Sequence, residues 1–387
     1  MLIMNRIYSE DELAFAESIR SWVQKNLDPK VRDKMLVGGQ LTWEEKVSWW
    51  KTLHSQGWSA PGFPPEYGGT GWNIVEQTIY FTVLAEEGAP INNVWAQNMM
   101  GPVLLEFGSD AQKELIPRML SVDDFWCQGF SEPGAGSDLA GLKTKAEDKG
   151  DHWLVNGQKL WTTNAHHANK IFLLVRTDTT VIPQSGISML LADMDTPGIQ
   201  VRPVITIDRK HEVNEVFFTD VVVPKRNIVG KPGQGWDIAK FLLSNERVGI
   251  AQVGLQKLLL RRLKNLIETR PRGDQYANEV RRLEVDILGC EVSGLRLLKA
   301  EKITAQPSLL KLKSSEIIQR CFELAVEIAG LDGLPYDEAS QLHAEHSWLD
   351  ASVASLFSEY CESRAYTIFG GTSEVQHNII AKAALGL

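Results

Sequence analysis

A glycine- and serine-rich stretch, FSEPGAGSD at residues 130–138, has the residue types of a ligand-binding loop. Its proline and two glycines disfavour a regular helix or strand, so the sequence predicts a shaped loop. Gly134 and Gly136 let the backbone approach a ligand, and the hydroxyls of Ser131 and Ser137 donate or accept hydrogen bonds. From the residues alone, a plain turn and a loop that binds a flat polar ring or a phosphate both remain open.

A single carboxylate, that of Glu246, interrupts an apolar stripe on a helix predicted over Trp236–Glu268. The stripe consists of Ala239, Leu242, Leu243, Glu246, Ile250 and Val253. A charged carboxylate in a buried stripe is costly unless it is paired. Two interpretations follow: an ion pair with an arginine on a neighbouring helix, or a general base whose pKa is raised by burial.

The order of predicted elements divides the chain into three parts. At 387 residues the chain exceeds the size of one simple core, so more than one domain is expected. Helical periodicity dominates residues 1–122, short strands dominate residues 123–232, and long helices return over residues 233–387. The predicted fold class is therefore α+β, with a β domain between two helical domains.

Local signals place the elements within these parts. Ser9 and Glu12 predict a capping box at the first helix. Further helices and strands are predicted over Trp43–Leu53, Ile74–Glu87, Trp95–Phe107, Ile171–Val175, Ile187–Ala192, Ile199–Val204 and Val213–Phe218. Asn156-Gly157 predicts a hairpin turn between strands 153–155 and 159–161. The strand spacing predicts a compact antiparallel barrel or sandwich.

Composition argues against several classes of protein. A net charge of −9 argues against nucleic acid as a partner, and no apolar run approaches the ~20 residues of a membrane helix. With no recognisable leader and no disulfide spacing among the four cysteines, a reducing cytoplasm is expected. No metal site is predicted, because the adjacent side chains of His166 and His167 should diverge without a third ligand. Arg261, Arg262 and Lys264 are predicted to form a solvated helix face.

Three segments resemble, in order and spacing, the signatures of the acyl-CoA dehydrogenase family. They are SEPGAGSD at residues 131–138, WTTN at 161–164 and FGGTSEVQ at 369–376. The resemblance spans essentially the whole chain. It implies a helical N-terminal domain, a middle β-barrel domain and a C-terminal four-helix-bundle domain. Because the family consists of flavoenzymes that desaturate acyl-CoA thioesters, it also implies FAD, an acyl-CoA substrate and electron transfer to an electron-transfer flavoprotein.

The resemblance also assigns contact residues. Those matched to FAD contacts are Gln128, Phe130, Ser131, Trp161, Thr163, Thr372, Ser373 and Glu374. Ser137 and Arg247 match contacts to the CoA moiety. Ser373 and Gln376 predict a capping box at the C-terminal helix, whose positive end would face a flavin phosphate or carbonyl.

The resemblance further implies which residue is the catalytic base. In this family a carboxylate removes the substrate α-proton while the β-hydride passes to flavin N5. Many members carry that glutamate directly before the Gly-Thr of the C-terminal signature, where this chain has Gly370. A second group, which includes isovaleryl- and long-chain-type members, carries it before an arginine on the helix where Glu246-Arg247 lies. The match to this second group implies that Glu246 is the base.

Two segments depart from the pattern of homotetrameric members. The R-x-x-F-G segment reads TRPRGDQ at residues 269–275, and Q-x-x-G-G-x-G reads EIAGLDG at residues 327–333. A carboxylate from Glu327 beside a flavin diphosphate would be repelled by about 4 kcal/mol per charge pair at about 4 Å and a dielectric of about 20. The combination resembles the larger, base-carrying subunits of heteromeric members that act on pimeloyl-CoA or steroid side-chain CoA esters. It implies a paralogous second subunit in an α2β2 assembly, with a homotetramer as the alternative.

Two other functions remain open on the same fold. One is an acyl-CoA oxidase or flavin monooxygenase, which would use O2. The other is a non-catalytic scaffold subunit, which Gly370 in place of a glutamate would suggest and Glu246 argues against.

Overall fold

The computed structural model describes residues 7–244, 249, 251–300, 304–335, 350 and 352–387. Its α-helices are α1 (Glu10–Asn26), α2 (Pro29–Leu36), α3 (Trp43–Ser55), α4 (Ile74–Glu86), α5 (Gly101–Phe107), α6 (Asp110–Lys113), α7 (Ile116–Leu120), α8 (Gly235–Ser244), α9 (Val253–Thr269), α10 (Ala277–Leu298), α11 (Gln306–Ala329), α12 (Leu356–Ser363) and α13 (Ser373–Ile380). Its β-strands are β1 (Trp126–Gly129), β2 (Lys145–Asp148), β3 (His152–Lys159), β4 (Lys170–Arg176), β5 (Ile187–Asp193), β6 (Ile199–Val204), β7 (Val213–Pro224) and β8 (Ile228–Val229).

These elements form two compact units that do not follow sequence order. Unit 1 comprises residues 1–52, 72–91 and 247–387, and unit 2 comprises residues 53–71 and 92–246. Each unit has an apolar core of its own. The α+β class, with helices before and after a β-sheet region, is confirmed. The domain boundaries near residues 122 and 232 stay a prediction.

Unit 2 is built on one eight-stranded sheet in the order β6-β7-β3-β2-β4-β5-β8, with β1 paired to β4. Neighbouring strands such as β4 and β5 or β6 and β7 are antiparallel, as predicted. However, β1 runs parallel to β4, and β2 also meets β4 in parallel register. The sheet is therefore mixed, and the prediction of a purely antiparallel arrangement was wrong.

Strand β4 is buried on both faces, and its side chains alternate between two apolar clusters. Phe172 lies in one cluster with Ile238 and Leu242 of α8. Leu173 lies in the other cluster with Val155 of β3. A strand covered on both sides carries a nearly continuous apolar sequence, as β4 does. Its rigid centre supports β1, whose end at Gly129 leads directly into residues 130–138.

The hairpin predicted at Asn156-Gly157 does not form. Strand β3 runs through both residues, and the register with β7 shifts between Val155 and Gly157, which is a β-bulge. Gly157 has a φ of 150°, and a Cβ placed there would lie 2.6 Å from the Thr144 Cα atom. The glycine therefore allows close approach between neighbouring backbones rather than a chain reversal.

In unit 1, helices α9, α10, α11 and α12 share one apolar core. Representative members are Leu263, Ile287, Ile318 and Leu356, all nearly inaccessible to solvent. The predicted capping box of α1 is confirmed, because the Ser9 hydroxyl accepts from Glu12 N while the Glu12 carboxylate accepts from Ser9 N.

The single helix predicted over Trp236–Glu268 is two helices, α8 and α9. Gln252 has a φ of 44°, in the left-handed region, and no right-handed helix continues through such a residue. Within α8, Ala239 and Leu242 are buried as predicted, whereas Leu243 is 49% exposed. Glu246 and Ile250 lie outside the described residues, and Val253, the last member of the predicted stripe, is half-buried at the start of α9.

The prediction of a solvated face at Arg261, Arg262 and Lys264 was wrong for Arg262. Its guanidinium forms an ion pair with Glu359 at 2.7 Å and also donates to the Val37 carbonyl at 3.2 Å. Burial acts to lower the pKa of Arg262, but the Glu359 carboxylate outweighs it, so the pKa is raised. Within the described part of the chain, no helix is both long and apolar enough to cross a lipid bilayer.

Candidate functional site

The loop at residues 130–138 begins where β1 ends and has a buried root and an open tip. Phe130 is buried and meets Phe172 edge-on, with ring centroids 5.9 Å apart. At the tip, a Cβ built on Gly134 or Gly136 would meet no atom within 4 Å. Gln128 and Ser131 are half-buried, and Ser137 is exposed. The loop thus presents open backbone and hydroxyl groups on a fixed base.

A buried ion pair lies beneath this loop. The Lys159 ammonium, fully enclosed on β3, lies 2.7 Å from Glu132 Oε1 and also donates to the Phe130 carbonyl at 3.2 Å. Burial acts to raise the pKa of Glu132, but the Lys159 charge and hydrogen-bond donors outweigh it and lower that pKa. Burial also lowers the pKa of Lys159 to about 8, even though Glu132 opposes the shift. Near neutral pH both groups carry charge.

The segment 161–164 has a conformation that ordinary side chains avoid. Trp161 has a φ of 61° and Asn164 a φ of 56°, both in the left-handed region. For a bulky residue that conformation costs about 1–2 kcal/mol. Trp161 is nevertheless 53% exposed. A strained, solvent-facing indole is a suitable surface for stacking on a flat ring.

Strand β7 holds this segment in place through Asn214. Thr162 N donates to the Asn214 carbonyl at 3.0 Å, and Asn214 Nδ2 donates back to the Thr162 carbonyl at 3.0 Å. Thr162 is buried, and its Oγ1 has no hydrogen-bond partner among the described residues. Thr163, the next residue, is half-buried. A buried hydroxyl without a partner is a feature that a ligand atom could satisfy.

Three histidines stand next to the same segment. The rings of His166 and His211 stack with centroids 3.9 Å apart, and His167 lies 4.1 Å from His166. The expected divergence of His166 and His167 was therefore wrong. Asn214 hydrogen-bonds to His211 Nε2 at 2.8 Å and to His166 Nδ1 at 3.1 Å. No group of residues suited to hold a metal ion occurs in the described ranges.

The C-terminal segment forms the start of α13 in unit 1. Thr372 is its N-cap, with Oγ1 accepting from Val375 N at 3.2 Å. The capping box predicted for Ser373 and Gln376 is wrong, since the Gln376 amide instead donates to the Gly371 carbonyl at 3.4 Å. The Glu374 carboxyl accepts from its own backbone N–H and the Thr372 hydroxyl, which lowers its pKa.

The predicted site residues are divided between the two units. Leu160 N donates to the Ser131 carbonyl at 2.9 Å, so the loop and the Trp161 segment are directly joined in unit 2. Thr372, Ser373 and Glu374 belong to unit 1. Glu246 and Arg247 fall outside the described residues. The roles assigned to all of these residues stay predictions.

Arg270 and Glu327, from the two segments that depart from the homotetrameric pattern, both form ion pairs within unit 1. The Arg270 guanidinium lies 3.1 Å from Asp350 and 3.3 Å from Asp332, and it donates to Ser352 Oγ at 3.0 Å. The Glu327 carboxylate accepts from Arg320 at 2.8 Å. Neither charge faces solvent without a partner.

Sequence reasoning missed the residues that support the site, chiefly Lys159 and Asn214. A signal for Lys159 existed, because it shares its alternation on β3 with the buried Trp153 and Val155. A lysine at such a position needs a buried partner, and the glutamate within the loop motif was available. Asn214 carried no comparable signal, since its role depends on which segments the fold brings together.

Comparison with known proteins gives a family for the whole chain. Models of the acyl-CoA dehydrogenase N-terminal, middle and C-terminal domains match residues 9–123, 127–221 and 233–385. The chain is 33% identical over 399 residues to the acyl-CoA dehydrogenase IpdE1 of Mycobacterium tuberculosis, covering 98% of each.

Solved structures agree with this result. The Tcur3481-Tcur3483 steroid ACAD superposes with a TM-score of 0.85 at 25% identity, covering 98% of each chain. The ChsE4-ChsE5 complex from Mycobacterium tuberculosis gives a TM-score of 0.84 at 27% identity, again covering 98% of each chain. The three sequence signatures, the shared fold and the three matching domain models all lead to the same conclusion: this chain belongs to the acyl-CoA dehydrogenase family of oxidoreductases.

Proposed function

We propose that this protein is an FAD-dependent acyl-CoA dehydrogenase that introduces an α,β double bond into an acyl-CoA thioester. The single observation that supports this most strongly is Trp161, an indole 53% exposed in a left-handed conformation beside the unsatisfied hydroxyl of Thr162. Such a surface matches a flat polar ring system, and the family supplies the identity of the ring. Electrons would leave to an electron-transfer flavoprotein.

The residues present fit FAD. Ser131, Trp161 and Thr163, with Gln128 and Phe130 behind them, would hold the isoalloxazine side in unit 2. In unit 1, Thr372, Ser373 and Glu374 would offer the start of α13, where the positive end of the helix dipole favours phosphate or carbonyl oxygens. When bound, FAD supplies the hydride acceptor that this chain's own side chains lack.

The chain's own contribution to the reaction is a base and a binding site for CoA. We assign the base to Glu246, which would take the α-proton, and CoA contacts to Arg247 and Ser137. The support for Glu246 is the sequence pattern, which puts it four residues after Leu242, a residue that is fully buried in α8. A carboxylate continuing that buried face would have a raised pKa, as a general base near neutral pH requires.

The test is Glu246→Gln, with Asp237→Asn as a matched control. Asp237 is a carboxylate on α8 that is well exposed and pairs with Lys240 at 2.8 Å. Loss of a general base lowers turnover by about 10²–10⁴-fold, whereas the control should keep normal turnover, and both should retain FAD. Near-normal turnover in Glu246→Gln would refute the base assignment. Sustained O2 consumption with H2O2 release would indicate an oxidase instead.

We further propose that the active assembly contains a paralogous second subunit, as α2β2 with one FAD for each αβ pair. Arg270 is held by Asp332 and Asp350, and Glu327 by Arg320, so neither is available in the form a neighbour's flavin diphosphate requires. Structural relatives such as ChsE4-ChsE5 are complexes of two different chains.

The four free, buried cysteines fit a reducing cytoplasm.

Native mass spectrometry with flavin quantification tests the assembly, on the chain alone and with a co-expressed paralogue. The chain alone should be flavin-poor, and the complex should carry stoichiometric FAD. A stable homotetramer with a full complement of FAD and full activity would contradict the proposal. A panel of CoA thioesters, including steroid side-chain esters, assayed with an artificial electron acceptor would then identify the acyl group.

A further inference from the structure

The ion pair between Lys159 and Glu132 is enclosed at the root of the loop, not on its exposed surface. The Lys159 side chain is 0% exposed, and the Glu132 side chain is 7% exposed. Because two charges must be removed from water, a buried ion pair is often no more stabilising than apolar residues of the same size. Stability alone therefore does not account for a charged pair at this position.

Lys159 and Glu132 form hydrogen bonds to the backbone of the loop and to the backbone of the segment that precedes β2. Lys159 donates to the Phe130 carbonyl, one residue before Ser131. Glu132 accepts from the backbone N–H groups of Lys143 at 2.6 Å and Thr144 at 2.9 Å. Both carboxylate oxygens are thus used, and the loop is attached at once to β3 and to the segment that enters β2.

The loop has a second constraint at its tip and a direct link to the indole segment. Glu132 and Ala135 exchange backbone hydrogen bonds of 2.9 and 3.0 Å, which closes the turn that contains Gly134. Lys159 is the last residue of β3, and Trp161 follows it two residues later. Between them, Leu160 N donates to the Ser131 carbonyl. Displacing the pair would therefore move Ser131 and Trp161 together.

We propose that the Lys159–Glu132 pair is a positioning device that fixes Ser131 and Trp161 in the arrangement that receives the flavin. This inference rests on the proposed FAD-binding function. Lys159 and Glu132 do not touch the cofactor in this proposal; they act through the loop backbone and the end of β3.

The decisive variant is the double substitution Lys159→Met/Glu132→Gln, which removes both charges and nearly keeps both volumes. Single substitutions leave a buried charge without its partner and should unfold the protein more readily. Glu132→Asp keeps the charge but shortens the side chain, so it tests the geometry in a protein that still folds. Lys145→Met/Glu147→Gln is the matched control, because that ion pair lies exposed on β2 of the same sheet.

Two measurements separate positioning from general stability. Hydrogen–deuterium exchange of the peptide covering residues 130–138, without added FAD, reports the loop directly. FAD titration by fluorescence quenching, on the purified chain and on the co-expressed complex, reports the consequence for binding. Melting temperature measured in parallel shows whether each variant remains folded.

The double variant should stay folded with a lowered melting temperature, because the Phe130 carbonyl loses its donor and one of the two backbone N–H groups loses its acceptor. Its loop should exchange faster, and it should bind FAD with a Kd raised about tenfold or more, which corresponds to about 1.4 kcal/mol. Glu132→Asp should show the same direction, and the exposed control should match wild type. Wild-type exchange and wild-type FAD affinity in Glu132→Asp and the double variant would overturn the inference. A wild-type protein that binds no FAD, alone or in the complex, would overturn the proposed function itself, and this inference with it.

Discussion

Replacing Asn214 by alanine should loosen the Trp161 segment from the sheet. Asn214 is 0% exposed on β7, and its side-chain amide joins the Thr162 carbonyl, His166 Nδ1 and His211 Nε2. Its backbone carbonyl, which accepts from Thr162 N, would survive the substitution. The perturbation therefore removes the side-chain half of the connection and keeps the backbone half.

The expected loss of stability follows from burial. Thr162 is 1% exposed, so water does not readily replace the lost donor to its carbonyl. An unsatisfied buried carbonyl costs about 1–3 kcal/mol, and the bonds to His166 and His211 add about 1 kcal/mol together, because water can reach these exposed rings. Asn214→Ala should thus lower the free energy of unfolding by roughly 2–4 kcal/mol. Because Trp161 is the next residue, FAD affinity should also fall.

Glu215→Ala is the matched control on the same strand. Glu215 accepts from Gln158 at 2.8 Å but is only half-buried, so water can replace the lost bond and the cost should stay below about 1 kcal/mol. Urea unfolding of both variants gives the free energies, and FAD titration gives the affinities. If Asn214→Ala matches Glu215→Ala in both measurements, Asn214 does not hold the segment as argued.

Three further predictions concern other parts of the site. Gly370 has a φ of 63°, so Gly370→Glu and Gly370→Gln should share a strain cost of about 1–2 kcal/mol in thermal unfolding. Under the proposed mechanism only the glutamate should further depress turnover, because it adds a second carboxylate to a site that already has its base; equal turnover would show that Gly370 does not border the substrate. Thr372→Val removes the N-cap of α13 and should cost about 0.5–2 kcal/mol in urea unfolding, whereas Thr372→Ser should be nearly neutral, and equal losses would argue against the cap. Folding lowers the pKa of Glu132 from its ordinary value of 4.5, so ionised Glu132 should stabilise the fold above that pH and lose this effect on acidification. The double variant Lys159→Met/Glu132→Gln should therefore lose less free energy of unfolding than wild type between about pH 6 and pH 3. Parallel curves of unfolding free energy against pH for the two proteins would contradict this.

The elements whose identity depends on local pattern could be predicted from the sequence. The capping box at Ser9 and the strands β4 and β5 follow from side-chain chemistry within a few residues, and the structure contains them. Ala239 and Leu242 are likewise buried as helical periodicity requires. The loop predicted at residues 130–138 is also present, directly after β1.

The failures occurred where a distant segment decides the local outcome. Asn156-Gly157 has the residue types of a turn, but the backbone at Thr144 lies so close to Gly157 that a side chain there would clash. Arg262 has the sequence context of a surface residue, but Glu359 lies opposite it in the fold. Asn214 could not be identified from its own neighbourhood, because the segment that it holds, through His166 and Thr162, is 48 and 52 residues away in the sequence.

The composition of unit 1 has a consequence for synthesis of the chain. Its early part ends at residue 91, and its remaining part begins only at residue 247. On a ribosome, synthesis of the residues in between takes on the order of ten seconds or more. During that time α1 and α4 already exist but α9 does not, although Gly254 of α9 packs against Thr82 and Ala85 of α4 in the folded protein. Unit 2, by contrast, is complete once residue 246 has emerged. The surface of α4 on which α9 packs therefore stays uncovered until the last third of the protein has been made.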